Sequence, residues 1–154
     1  MKVKEVICAA GRSGYMHRDL LAIKSGKAKP NGSLYEGKPM SPGFTNIIEP
    51  ATIISVMLVL DDGQIAFGDC ADVILAGVAG RDPAFNAKGH IDYVRGDVAD
   101  QLRGRDISEF RPNAEEMDGY TRNGQRLHTA IRYGVSQALL HATALSHRET
   151  MAEV

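Results

Sequence analysis

The sequence predicts an α+β domain: a three-stranded antiparallel meander followed by a helical bundle. Three observations carry that expectation. The β-branched run Ile53 to Leu60 meets a returning run across Asp62-Gly63. Helical periodicity begins only after residue 82. All strand signals therefore precede the helical ones, an order that argues for α+β and against a parallel α/β sheet.

The first element is a strand over Lys2 to Ala10, where Val3, Val6, Ile7 and Cys8 are apolar and Gly11 is expected to stop the run. Residues 11–50 differ in kind, being punctuated by Gly11, Gly14, Gly26, Gly32, Gly37 and Gly43 and by Pro30, Pro39, Pro42 and Pro50. Only Asp19 to Lys24 has room for a helical turn there. A connection this long points to a lid, a binding loop or disorder. Ile53 to Leu60 is the next strand, Asp62-Gly63 the hairpin turn, and Gln64 to Gly68 the return. Asp82-Pro83 reads as a helix start, with a capping carboxylate and a proline that loses no hydrogen bond at the first position. Phe85, Ile91, Val94, Val98 and Leu102 keep to one face of that helix, Gly89 and Gly96 weaken it, and Gly104 ends it. Pro112 opens a shorter helix through Met117. The last helix carries the stripe Leu127, Ile131, Val135, Ala138, Ala142 and Leu145, and a row of small residues, Ala130, Gly134, Ala138 and Ala142. Such a row lets another element approach closely. Thr150 has the character of an N-cap or linker residue.

Composition narrows the function. The 154 residues suffice for one domain, and 44% apolar with 24% charged residues is ordinary globular usage. A net charge of −1 speaks against nucleic acid, and no apolar run reaches a membrane span. The start is not a secretory signal, and Cys8 and Cys70 read as buried reduced thiols of a cytoplasmic protein.

Candidate chemistry is sparse. In FGDCADVILAGVAGRDP, Phe67 to Pro83, Gly77 and Gly80 match neither a dinucleotide fingerprint nor a P-loop, so a turn or rim loop is expected. None of His17, His90, His128, His141 and His147 has an acidic partner at metal-binding spacing. His128 and Arg132, one turn apart, read as a solvated face. Glu115 and Glu116 are adjacent, so they diverge on a helix and form no catalytic carboxylate pair. The long loop is modestly basic and reads first as a plain solvated loop, with a lid that attracts a carboxylate substrate as the alternative.

Four segments together resemble one family: ISVMLVLDDGQIAFGDCA, AGRDP, AEEMDGYTRNGQRLHTAIRYGVSQALL and TMAEV. They resemble the N-terminal region of methylaspartate ammonia-lyase, of the enolase superfamily. The resemblance implies an enolase-like N-terminal capping domain over residues 1–149, with 150–154 starting a linker into a TIM-like barrel. A barrel needs about 250 residues, so it is expected outside this chain.

For the complete enzyme the resemblance implies a small amino-acid substrate, 3-methylaspartate, converted to mesaconate and ammonia. Mg²⁺ would be held by barrel carboxylates, with a barrel lysine and histidine moving protons. No catalytic and no metal-binding residue is therefore carried onto this chain. The loops Gly11 to His17 and Cys70 to Gly80 are expected to close over the barrel mouth, which makes Tyr15, Ile74 and Leu75 the candidate substrate-binding residues. The family has a glutamine where Ile74 stands, which puts the substrate's identity in question. Expected partners are the chain's own C-terminal barrel or a separately encoded one, with a homodimer when complete. Two other readings stay open: a stand-alone binding module with the cap fold, and the cap of another enolase-superfamily lyase or isomerase.

Overall fold

The computed structural model describes residues 1–72 and 82–154. Three long strands form one antiparallel sheet in the order β1 (Val3–Arg18), β4 (Ile48–Leu60), β5 (Ile65–Ala71). This is the predicted meander. Alternation decides its faces: Val6, Cys8, Ile54, Val56, Leu58, Ala66 and Cys70 point into the core, while Ile7, Met57 and Phe67 stand in one register row on the other face. Asp62-Gly63 makes the β4–β5 turn, and Gly63 sits at φ +89°.

Gly11 does not end β1. The strand continues to Arg18 because residues 48–52 extend β4 and supply a partner for it. Pairing jumps from Arg12↔Thr52 to Met16↔Pro50, so β1 advances four residues against two and holds an irregularity at Ser13–Tyr15. Between β1 and β4 the chain makes an excursion with its own small core of Ala22, Ala28 and Ile47. It contains α1 (Leu20–Lys24) and the hairpin of β2 (Lys29–Asn31) and β3 (Leu34–Glu36).

Asp19, fully buried, ties this excursion together. Its carboxylate accepts from Ala22 N at 3.1 Å, capping α1, and from Ser41 N at 2.9 Å, Ser41 Oγ at 2.7 Å and Met40 N. Burial pushes its pKa up, but the hydrogen bonds from Ser41, Met40 and Ala22 outweigh burial and hold it below the ordinary range.

The helices follow as expected in order, with shifted bounds. The first begins at Ala87, not Asp82: α2 (Ala87–Tyr93) is capped by Asn86, whose side chain accepts from Lys88 N. It runs through a π-helical stretch, Val94–Val98, into α3 (Ala99–Leu102). Then come α4 (Phe110–Gly119), a hairpin of β6 (Thr121–Arg122) and β7 (Gln125–Arg126), and α5 (Thr129–His147). The small-residue row of α5 lies on β5: a methyl group on Gly134 would meet the backbone of Asp69 and Cys70 at 2.6–2.7 Å, and one on Gly68 would meet Ala138 N at 2.6 Å.

Both outer strands have some of their outward main-chain groups occupied. On β5, Phe67 N donates to His141 Nδ1 (3.0 Å) and Asp69 N to Gln137 Oε1 (2.9 Å), both from α5. On β1, Cys8 O accepts from Arg95 Nε and Nη2 (3.1 and 3.0 Å), and Val3 pairs with the chain at Gly104–Arg105.

Candidate functional site

The described residues nearest the expected closing segment are those that tie down its two ends. On the near side Asp72 follows β5 and is buried. Tyr15, released by the irregularity in β1, donates its hydroxyl to the Asp72 carbonyl, and Asp72 Oδ2 accepts from Phe85 N at 2.9 Å. Bulges recur beside sites because they re-aim one side chain without ending the strand. Burial and then the charge of Asp72 push the Tyr15 pKa up, so its phenol keeps the proton it donates.

On the far side Asp82 leaves its own segment and caps α5. Its Oδ2 accepts from Thr129 N at 2.8 Å and from Thr129 Oγ1. Burial raises the Asp82 pKa, but these bonds and the neighbouring Arg132 pull it below its ordinary value. The pair His128–Arg132 is not a solvated face. His128 is buried; its Nδ1 accepts from Ala130 N (3.1 Å) and its Nε2 donates to the Pro83 carbonyl (2.8 Å). Those two partners fix the neutral Nε2–H tautomer, because one nitrogen faces a donor and the other an acceptor. Arg132 bonds Asp118 and Thr129. Thus Tyr15 on β1 holds Asp72, and His128 and Thr129 at the start of α5 hold Pro83 and Asp82, on either side of residues 73–81.

Beside the far brace is a cleft of about 330 Å³, lined by Asp82, His90, Tyr93, Arg122, Arg126 and His128 among others. Phe85 packs against both imidazoles, with centroids 4.9 Å from His90 and 5.2 Å from His128, and the two imidazoles lie 5.5 Å apart. Burial above all lowers the His90 pKa, and burial pushes the Tyr93 phenol up to about 12. Arg122 lies 4.9 Å over the Tyr93 ring and pairs with Asp97. The β6–β7 turn that carries it is Asn123-Gly124, with φ of 53° and 77°. That dipeptide is a hairpin signal visible in the sequence and missed there.

Of the candidate substrate-binding residues, Tyr15 is placed as described, and Ile74 and Leu75 lie outside the described residues, as do Gly77 and Gly80. Among the described residues no group of three or more His, Cys, Asp or Glu side chains is arranged to hold a metal ion. The cysteines are free and buried, and among the described residues no helix is long and apolar enough to cross a membrane.

Residues 1–154 match the family described as methylaspartate ammonia-lyase N-terminus. The chain is 49% identical over its full length to a methylaspartate ammonia-lyase of Clostridium tetanomorphum and 45% identical to one of Haloarcula marismortui, in each case covering 37% of the relative. It superposes on a Mg complex of the Clostridium β-methylaspartase with a TM-score of 0.92 at 48% identity, covering 99% of this chain and 37% of that one. A Citrobacter amalonaticus enzyme containing (2S,3S)-3-methylaspartic acid gives 0.92 at 43% identity, with the same coverage. A mandelate racemase/muconate lactonizing protein of Herpetosiphon aurantiacus, 16% identical with a TM-score of 0.52, shares the fold.

Proposed function

Since the chain belongs to the methylaspartate ammonia-lyase family and corresponds to its N-terminal region, we propose that it is the capping domain of an enzyme that removes ammonia from 3-methylaspartate. The chain spans 37% of the length of these relatives. The observation that carries the reading is the end-to-end match at TM-scores of 0.92 to two structures, one a Mg complex and one containing the amino acid.

On this reading the described residues of this chain move no proton and hold no Mg²⁺. Their donor sets do not fit the ion: the buried carboxylates of Asp19 and Asp72 are each occupied by main-chain N–H groups. The ion belongs to the remaining part of the enzyme, where it would act as a Lewis acid on the substrate carboxylate. What this domain supplies is position. Tyr15, Asp72 and Phe85 on one side and Asp82, Thr129 and His128 on the other set where residues 73–81 start and finish. The segment then lies over the substrate with Ile74 and Leu75 among its contacts, excluding water and selecting shape. Aliphatic side chains there favour an apolar substituent at the substrate's third carbon. Residues 150–154 begin the connection to the barrel: Thr150 N donates to Glu153 Oε2 at 2.8 Å, one half of a capping box. A cytoplasmic homodimer is the complete form.

Purified residues 1–154 are expected to show no Mg²⁺-dependent release of ammonia from 3-methylaspartate. Turnover by this domain alone would overturn the assignment.

A further inference from the structure

His17 sits in β1 beyond the irregularity, opposite Glu49 of β4. It is 4% exposed, and its Nε2 is buried with no hydrogen bond to any of the described residues. A buried ring nitrogen left without a partner forfeits the hydrogen bond it had with water. The same imidazole lines a small cavity of about 40 Å³, bounded also by Gly43, Glu49, Thr52, Ala84 and Phe85. That space exceeds the roughly 10–15 Å³ one water needs and falls far short of the roughly 300 Å³ of a substrate pocket.

The walls offer mainly acceptors. The Glu49 carboxylate takes Thr45 N at 3.0 Å and has lone pairs to spare. Thr52 Oγ1 already accepts from Ala87 N at 2.9 Å. Burial lowers the His17 pKa, against smaller opposing effects of Asp72 and Glu49, so the ring is neutral and one nitrogen is a free acceptor or a lone donor. The rings of Tyr15 and Phe44 pack beside it, at 5.4 and 6.1 Å between centroids.

We propose that this cavity is a binding site for one small hydrogen-bonding molecule of water's size, water or an ammonium ion, held by His17 Nε2 and Glu49. The occupant links β1 and β4 to the Ala84–Phe85 chain, a tie to the rim additional to those of Asp72 and Asp82. The assignment stands apart from the family reading, since it uses neither substrate nor metal.

A crystal structure of residues 1–154 that orders its surface waters tests it. Expected is density for one non-protein atom within hydrogen-bond distance of both His17 Nε2 and Glu49, lost in His17→Leu. A ¹⁵N-ammonium resonance in slow exchange with an NOE to His17 would identify the occupant as ammonium. Density without that resonance would identify water. Empty density, Nε2 bonded to a protein atom, or density unchanged in His17→Leu would overturn the proposal. A measurement on the unaltered protein covers the case where the variant does not fold: the ¹⁵N shift of Nε2 should be that of a hydrogen-bonded ring nitrogen, and a free-nitrogen value also overturns it.

Discussion

Gly134 and Asp19 show how much one residue decides here. A Cβ on Gly134 would collide with main-chain atoms of Asp69 and Cys70, which cannot rotate away. Gly134→Ala is therefore expected to cost about 3 kcal/mol by overpacking, read as a lower urea midpoint at unchanged slope. Asp19 binds its donors as a carboxylate, so Asp19→Asn places an amide against N–H groups and should cost about 3 kcal/mol at neutral pH. Its folded pKa lies below the ordinary carboxylate value, so its contribution is fully present above the unfolded pKa, near 4, and is lost as pH falls through the folded value. The stability difference between parent and Asn variant should shrink across that acid window in urea melts at successive pH values. A constant difference would show that the carboxylate's charge is not what matters. The row of small residues on α5 announced the Gly134 approach in the sequence. The role of Asp19 was not legible, because its partners Met40 and Ser41 are about twenty positions away and only the folded excursion brings them near.

At the scale of elements, strand and helix order were readable because period and turn chemistry are local signals. Ends were not. Gly11 lost its stopping role once β4 began five residues earlier than expected and offered β1 a partner. Asp82-Pro83 carries a true capping signal, yet the cap serves α5, a helix forty-seven residues on, while Asn86 starts α2. Asp82→Ala should then destabilise α5, by about 1–2 kcal/mol. Hydrogen exchange checks this: amides in the first turn of α5 should lose protection, and those of α2 should keep it. Loss confined to α2 would return the cap to the nearer helix. The strands also shelter both thiols. Burial raises the Cys8 pKa and pushes Cys70 up to about 12, so neither is a thiolate at pH 8. Both are expected to resist a thiol reagent until denaturant is added, and rapid labelling of the native protein would contradict the burial.

For the whole molecule, the candidate site was legible only as far as its address. The ties around Asp72 and Pro83 were not legible, since Tyr15 and His128 reach them from distant parts of the chain. If the domain is a cap whose metal is held elsewhere, MgCl₂ should leave the melting temperature of residues 1–154 unchanged, because a ligand stabilises only what it binds. A concentration-dependent rise would place an ion site within this chain. The sheet makes one more demand on how such a domain is handled. Arg95 covers part of one flank, while His141 and Gln137 cover part of the other, so each flank offers a foreign strand a shortened ladder. Strand addition at the β5 flank is thus hindered while α5 stays docked. Loosening that helix opens one flank, which makes the glycine crossing beneath it a safeguard against aggregation as well as a packing contact.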